Sequence, residues 1–268
     1  MYIPTPSWFS FRSSVRKLND YCSSLVVARW SLREEECLKS TGRKEDVLDK
    51  ILSAITVDEW GPDAIHQVQD EIKTFILAGH ETSASMLTWS LYELLMNPDC
   101  MKRVKDEAKM IFGAGCMSGN VPTREALGEE LRYTECCLRE SLRKYSVVPS
   151  VVRVATEAIQ LGDYHVEKGA TVMINIQGVH HDPQFWPEPL LYKPERFLSE
   201  VKPFTFMPFV EGPRMCLGQY LSILESKIVL AWLVHNYEFT LVSKEEAGLK
   251  HPFMVPIIPK IGHHMKIA

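Results

Sequence analysis

The chain has 268 residues, 46% of them apolar and 24% charged, the make-up of an ordinary globular protein. Its 30 Lys and Arg against 34 Asp and Glu leave a formal net charge of −4, which excludes the basic footprint of a nucleic-acid binder. No apolar run reaches the ~18–20 residues that span a bilayer, and MYIPTPSWFSFRSS lacks the charged-then-apolar order of a secretory signal. Neither an anchor nor a secretory leader is expected in the sequence as it stands. The seven cysteines (Cys22, Cys37, Cys100, Cys116, Cys136, Cys137 and Cys216) are odd in number and form no CxxC pair. That argues against a disulfide framework or a zinc ribbon and points to a reducing compartment.

In chain order, Val15, Leu18, Cys22, Leu25 and Val26 have helical spacing and predict a helix from Ser14 to about Lys39. A short helix through VLDKILSAI follows. Asp63 is placed to cap a long helix that runs to Asn97-Pro98. This helix is apolar around most of its circumference (Ile72, Phe75, Ile76, Leu77, Met86, Leu87, Trp89, Leu91, Leu94), which suits the middle of a fold. Helices over about Cys100–Phe112 and Arg124–Tyr145 come next, separated by the glycine-rich FGAGCMSGN. After Pro149, SVVRVA, AIQLG, YHV and ATVMINI read as short hairpin strands. A proline-rich stretch without period spans about Asp182 to Pro213. A last long helix runs from Leu217 to about His235, with Leu221, Leu224, Ile228 and Trp232 on one stripe. Strand-like YEFTLV and FMVPIIPKI close the chain. The whole predicts one domain over residues 1–268, mainly α with a small β-region, an α+β fold.

Cys216 stands out by its neighbours. It lies on a constrained turn just ahead of the last helix, where peptide N–H groups and the helix dipole favour a thiolate. Gly212 permits a turn that other residues resist, and Pro213 stiffens it. Gly218 lets the helix start approach something flat. Arg214 can meet an anionic group on the same ligand, and Phe209 supplies an apolar wall. Alone, such a cysteine is most simply one packed at a helix N-terminus. The full pattern F-x-x-G-x-R-x-C-x-G, Phe209 to Gly218, resembles the haem-binding signature of the cytochrome P-450 family. The resemblance implies haem b as cofactor, with the Cys216 thiolate as axial ligand of the iron.

Three further motifs in the family's order support it. The first is AGHETS, Ala78 to Ser83, inside the long apolar helix. Gly79 costs ~1 kcal/mol there relative to alanine. It is accounted for either by helix packing or by room for a ligand against the backbone. With Ala78, Thr82 and Glu81 it resembles the family's oxygen-binding groove, where an acid–alcohol pair relays protons. The second is ESLR, Glu140 to Arg143, an i,i+3 pair on one helix face. The third is KPERF, Lys193 to Phe197, similar to the family's meander motif. Glu140, Arg143 and Arg196 are then expected to form a buried structural charge network. Arg153 matches a strand position that contacts a haem propionate in the family. His180, His181, His263 and His264 are read as structural.

The resemblance implies insertion of one oxygen atom of O2 into an apolar small molecule of fatty acid, sterol or terpenoid type. It also implies a NADPH-dependent flavoprotein reductase as electron donor and the cytoplasmic face of the endoplasmic reticulum membrane as location. Haem-thiolate isomerases and dehydratases need no proton relay, against which Glu81 and Thr82 argue. A cysteine hydrolase fits poorly, because no histidine lies near Cys216 in sequence. The chain departs from the family at Ser146-Val147, where prolines are common. The resemblance covers only the family's C-terminal half or slightly more, a fold truncated at its N-terminus. Part of the central helix is therefore expected to face water, which opens a second reading: a haem-poor, non-catalytic interaction module.

Overall fold

A computed structural model describes residues 5–36, 45–113, 123–243, 256–259 and 265–267. The helices in chain order are α1 (Pro6–Glu36), α2 (Val47–Ser53), α3 (Pro62–Met96), α4 (Pro98–Phe112), α5 (Arg124–Glu130), α6 (Arg132–Tyr145), α7 (Ile176–His180) and α8 (Gln219–Asn236), with a 3-10 turn at Pro194–Leu198. The strands are β1 (Ser150–Val154), β2 (Ile159–Leu161), β3 (Tyr164–Val166), β4 (Thr171–Asn175), β5 (Phe239–Leu241) and β6 (Met265–Ile267). The mainly α architecture with a small β-region is as expected. Two compact units divide the chain, Met1–Gly79 and His80–Ala268.

In the first unit Val26 and Trp30 of α1, Leu52 of α2 and Val68 of α3 share a core, and the rings of Trp30 and Trp60 stack at 4.0 Å. Asp46 and Asp49 form a capping box at the start of α2. Arg29 reaches both carboxylates, at 2.6 and 2.8 Å. α3 begins at Pro62, so Asp63 lies within its first turn rather than before it, where its charge still complements the helix dipole.

In the second unit α4, α6 and α8 pack against one another around a core of Val104, Leu138, Leu142 and Leu230. The single helix predicted over 124–145 is interrupted at Leu131, whose φ of −102° and ψ of 36° leave the helical region. A new helix start leaves N–H groups unpaired. Glu107 of α4 fills that role from another helix: its carboxylate accepts the N–H groups of Tyr133 and Thr134 at 2.6 and 2.8 Å and the Thr134 hydroxyl at 2.7 Å. α8 also differs from expectation. Its buried face is Lys227, Leu230, Ala231 and Val234, whereas Leu221 and Trp232 are exposed. Lys227 is buried because its ammonium meets Glu135 of α6 at 2.9 Å. That ion and Arg139 hold the Glu135 carboxyl below its ordinary range, against the opposing effect of burial.

Strand β1 pairs antiparallel with β4, from Ser150↔Asn175 to Val154↔Thr171, and the β2–β3 hairpin is inserted between them. Gly162 and Gly169 turn the chain there with φ of 57° and 86°. β5 pairs with β6. Most of FMVPIIPKI lies outside the described residues. Helix α7 has no counterpart in the expected elements, since its five residues follow a strand pattern without a break.

One polar network joins these pieces. Glu140 and Arg143, both wholly buried, meet bidentately with two 2.8 Å bonds. The guanidinium also donates to the carbonyls of His180 at 2.9 Å and Pro189 at 2.8 Å. Glu140 accepts the Lys193 N–H at 2.9 Å. Arg196 Nε lies 3.4 Å from the same carboxylate without a directed hydrogen bond. The expected triad therefore assembles, with Arg196 joined by charge and held in place by its bond to the Glu188 carbonyl.

His180, also buried, closes the network. Its Nε2 is 2.9 Å from the Met207 N–H, which can only donate, so Nε2 accepts. The proton then sits on Nδ1 and faces Ser146 Oγ at 2.9 Å. Ser146 ends α6 with a φ of 42°. A proline ring forbids that angle, which gives the departure from the family's prolines a structural counterpart. Burial, then the Arg143 charge and His181, push the His180 imidazole down to about 3.

Removing the Arg143 fork by Arg143→Ala leaves the buried carboxylate with only the Lys193 N–H and the Arg196 charge, and is expected to cost about 3–5 kcal/mol of unfolding free energy. Arg143→Lys is expected to recover little of it, because one ammonium cannot serve a carboxylate and two carbonyls in one plane. Urea unfolding measures both, and a loss under ~1 kcal/mol for the alanine variant would contradict the network's role. For His180 the folded pKa lies below the ordinary 6.5. The neutral form is therefore favoured by folding, and its contribution is complete above the unfolded value and lost as pH falls toward the folded one. Between pH 6.5 and 5 the parent is expected to lose up to about 2 kcal/mol through this group. Unfolding curves for His180→Gln should show a shallower acid limb; an equal limb would place the titration elsewhere.

Candidate functional site

The site is built on the segment from Met207 to Gly218, which joins the proline-rich stretch to α8. Two tight turns fold it. The Val210 N–H donates to the Met207 carbonyl at 3.1 Å and the Met215 N–H to the Gly212 carbonyl at 3.0 Å. A third bond, from the Cys216 N–H to the Phe209 carbonyl at 2.9 Å, closes the loop at its base. Gly212 has a φ of 88°, and an added Cβ would meet nothing within 4 Å among the described residues. Glycine is needed there for the backbone angle and not for space. Val210 takes a φ of 62°, a left-handed angle that is unusual for a β-branched residue. Such an angle persists only where its surroundings over-determine it.

The loop carries Cys216 to the surface, two residues before the N-cap of α8 at Gly218. Gly218 has an ordinary φ of −85°, and a Cβ there would stand 3.9 Å from Cys216 Sγ in normal contact. Neither its backbone nor crowding by the described residues demands a glycine. Phe209 is half-buried and packs on the main core, so it ties the loop base to the interior. Arg214 is exposed. Around the cysteine the surface is apolar: Leu217 is 77%, Tyr220 73% and Leu221 68% exposed. A cleft of about 490 Å3 lies along the loop and α8, lined among others by Glu135, Arg139, Phe206, Phe209 and Lys227.

The AGHETS segment reaches the same region through its last residue. Ser83 Oγ of α3 lies 3.0 Å from Ser222 Oγ of α8, one turn beyond the N-cap. Thr82, immediately before Ser83, is half-buried, and Glu81 is exposed. Ala78 and Gly79 belong to the first compact unit and are exposed. A Cβ at Gly79 would meet nothing within 4 Å, so close packing by the described residues does not account for this glycine. Arg153 lies on β1 between exposed Val152 and Val154, and its guanidinium donates locally to the Val152 carbonyl. No bond among the described residues joins it to the cysteine loop.

Three supports of the site are not evident in the sequence. Ser83 and Ser222 are ordinary helical serines until their helices meet. Ser146 shows only as a departure from a proline pattern. His180 reads correctly as structural, but nothing in HHDP signals that it accepts the N–H of Met207.

The family model for cytochrome P450 matches residues 1–263. Among curated relatives, the chain is 31% identical over 263 residues to human cytochrome P450 4V2, covering 93% of this chain and 49% of the relative. It is 32% identical over 253 residues to the rat protein of the same name, covering 89% and 47%. With cytochrome P450 4c21 of Blattella germanica it shares 30% over 254 residues, covering 90% and 50%. The chain spans about half the length of the curated relatives it matches. A loop that presents one cysteine ahead of a helix, with the ESLR and KPERF motifs joined behind it, agrees with this match: the chain belongs to the cytochrome P450 family.

Proposed function

We propose that residues 1–268 form part of one catalytic domain of a haem-thiolate monooxygenase that acts on an apolar small molecule of fatty acid, sterol or terpenoid type. The observation that carries this reading is the exposed Cys216 on a loop whose base is closed by the Phe209 carbonyl. Among the described residues no group of three or more His, Cys, Asp or Glu side chains gathers around a common point. A porphyrin would bring the remaining donors to a metal held through Cys216. The apolar surface of Leu217, Tyr220 and Leu221 suits a flat apolar macrocycle. When bound, haem b supplies the activation of O2, with one atom passing to the substrate and the other leaving as water.

The chain's own residues have these roles in the reading. Cys216 gives its thiolate to the metal. Arg214 and Arg153 offer guanidiniums to the two propionates. Phe209 walls the sulfur, Gly212 shapes the turn, and Gly218 keeps the helix start free of a side chain. Ala78 and Gly79 border the ligand on α3, and Thr82 with Glu81 hands on protons. Electrons come from a NADPH-dependent flavoprotein reductase on the cysteine side, where the cleft beside the loop carries Arg139, Lys227 and Glu135. The location is the cytoplasmic face of the endoplasmic reticulum membrane. Among the described residues no helix is long and apolar enough to cross a membrane.

The exposed Leu217, Tyr220 and Leu221 also favour a second reading, a haem-poor interaction module that covers this surface with a protein partner. One spectrum separates the two. The chain, produced with haem supply, reduced and exposed to carbon monoxide, is expected to show the red-shifted Soret band of thiolate-ligated haem. Folded, soluble chain without that band would leave the module reading. Cys216→Ser is expected to abolish the band, and its survival would move the ligand elsewhere. Thr82→Ala is expected to keep the band while product formation falls roughly tenfold or more and peroxide release rises. Unchanged coupling between electron use and product would remove Thr82 from the proton path.

A further inference from the structure

We propose that His180 is a positioning residue for the cysteine loop, coupling the buried Glu140–Arg143 pair to the placement of the Cys216 sulfur; the consequence for the sulfur rests on the haem-thiolate reading of Cys216. Three bonds meet at this one residue. Its carbonyl accepts Arg143 Nη1 at 2.9 Å, its Nδ1–H faces Ser146 Oγ at 2.9 Å, and its Nε2 accepts the Met207 N–H at 2.9 Å. The first fixes its backbone and the second its ring against the C-terminal end of α6. The third fixes the entry of the cysteine loop. From Met207 the chain passes through Pro208 to Phe209, whose carbonyl holds the Cys216 N–H. The ring also stacks on Phe206 at 5.4 Å, which leaves it little freedom to swing. A neutral imidazole is the side chain that satisfies this geometry: one acceptor toward a backbone N–H and one donor toward a hydroxyl, on opposite edges of a rigid ring. A lysine or arginine offers no acceptor, and the wholly apolar alternative takes the acceptor of the half-buried Met207 N–H away.

The test compares His180→Phe, which keeps the ring and its stacking but removes both side-chain bonds, with His180→Gln, which keeps an acceptor near the Nε2 position. Amide hydrogen exchange is followed in the haem-free chain at Met207 and Cys216, with amides of α4 as the reference for global opening. In His180→Phe, exchange at both loop amides is expected to rise about tenfold over the α4 reference, the effect of one lost hydrogen bond. His180→Gln is expected to return it to within about threefold of the parent. Loop amides within about twofold of the parent in His180→Phe would overturn the proposal. So would acceleration shared equally by α4, because the residue would then be structural only. If His180→Phe does not fold, Ser146→Ala, which cuts the link that orients the ring, is expected to accelerate the same two amides selectively; no selective change there would also overturn it. In the haem-loaded chain the thiolate Soret band is expected to weaken in His180→Phe and recover in His180→Gln. A parent with protected loop amides and no thiolate band would sink the haem reading while leaving the positioning of the loop intact.

Discussion

The fold depends on keeping a full negative charge inside the protein. Glu140 and Arg143 are one turn apart on α6, so the helix brings them together at little entropic cost. Burying them is unfavourable unless every lone pair and N–H finds a partner. The chain supplies most of those partners with backbone from elsewhere: the carbonyls of His180 and Pro189 for the guanidinium and the N–H of Lys193 for the carboxylate. Each of those groups lies in a segment without long regular structure. The need to satisfy one ion pair thus gives the region between β4 and α8 its fixed path. In an interior of low effective dielectric, a partly satisfied network would be worse than an apolar core.

Backbone strain is stored at the end of α6 and in the region between β4 and α8. Among the described residues, the non-glycine residues with positive φ are Ser146, Glu188, Phe204 and Val210. None lies within a regular helix or strand. Each is restrained by bonds at or beside it. Ser146 holds Nδ1 of His180, the Glu188 carbonyl accepts Arg196, and the Thr205 hydroxyl beside Phe204 donates to the Lys202 carbonyl. Val210 closes a turn onto Met207, whose own N–H is held by His180. Strained angles of this kind cost of order 1–3 kcal/mol each. Three of the four, Ser146, Glu188 and Val210, are tied directly or through one further bond to residues of the Glu140–Arg143–His180 network.

Much of this fold is legible in the sequence because periodicity is a local property. The alternation after Pro149 places four strands, and the β1–β4 and β2–β3 pairs fall on the predicted runs. The elements that escape prediction are set by distant partners. The break at Leu131 becomes stable only because Glu107 caps the restart from α4. The buried face of α8 includes Lys227, which no apolar-stripe argument selects, because its partner Glu135 is on another helix. The candidate site divides in the same way. Gly212, Pro213 and Cys216 announce a constrained turn by their types alone. The meeting of Ser83 with Ser222 and the acceptor role of His180 depend on where helices and loops cross.

Helix α3 shows how an apolar pattern can carry two meanings in one element. Met86, Trp89, Leu91 and Leu94 are buried, and the indole of Trp89 and the hydroxyl of Ser85 both donate to the Ile257 carbonyl, at 2.8 and 2.5 Å. Glu93 beside them is buried and bonded by Lys144 and Tyr145. Earlier in the helix, Phe75, Ile76 and Leu77 are exposed, Leu77 by 63%. Burying such a side chain is worth roughly 1.5–3 kcal/mol, so an exposed run of them is not selected by stability of the described fold. The change from exposed to buried falls across Ala78 to Ser83, the segment whose glycine has open space beside it and whose serine meets α8. Apolar residues on the buried side are accounted for by packing. Those on the exposed side, like Leu217, Tyr220 and Leu221 after the cysteine, are not accounted for by packing among the described residues.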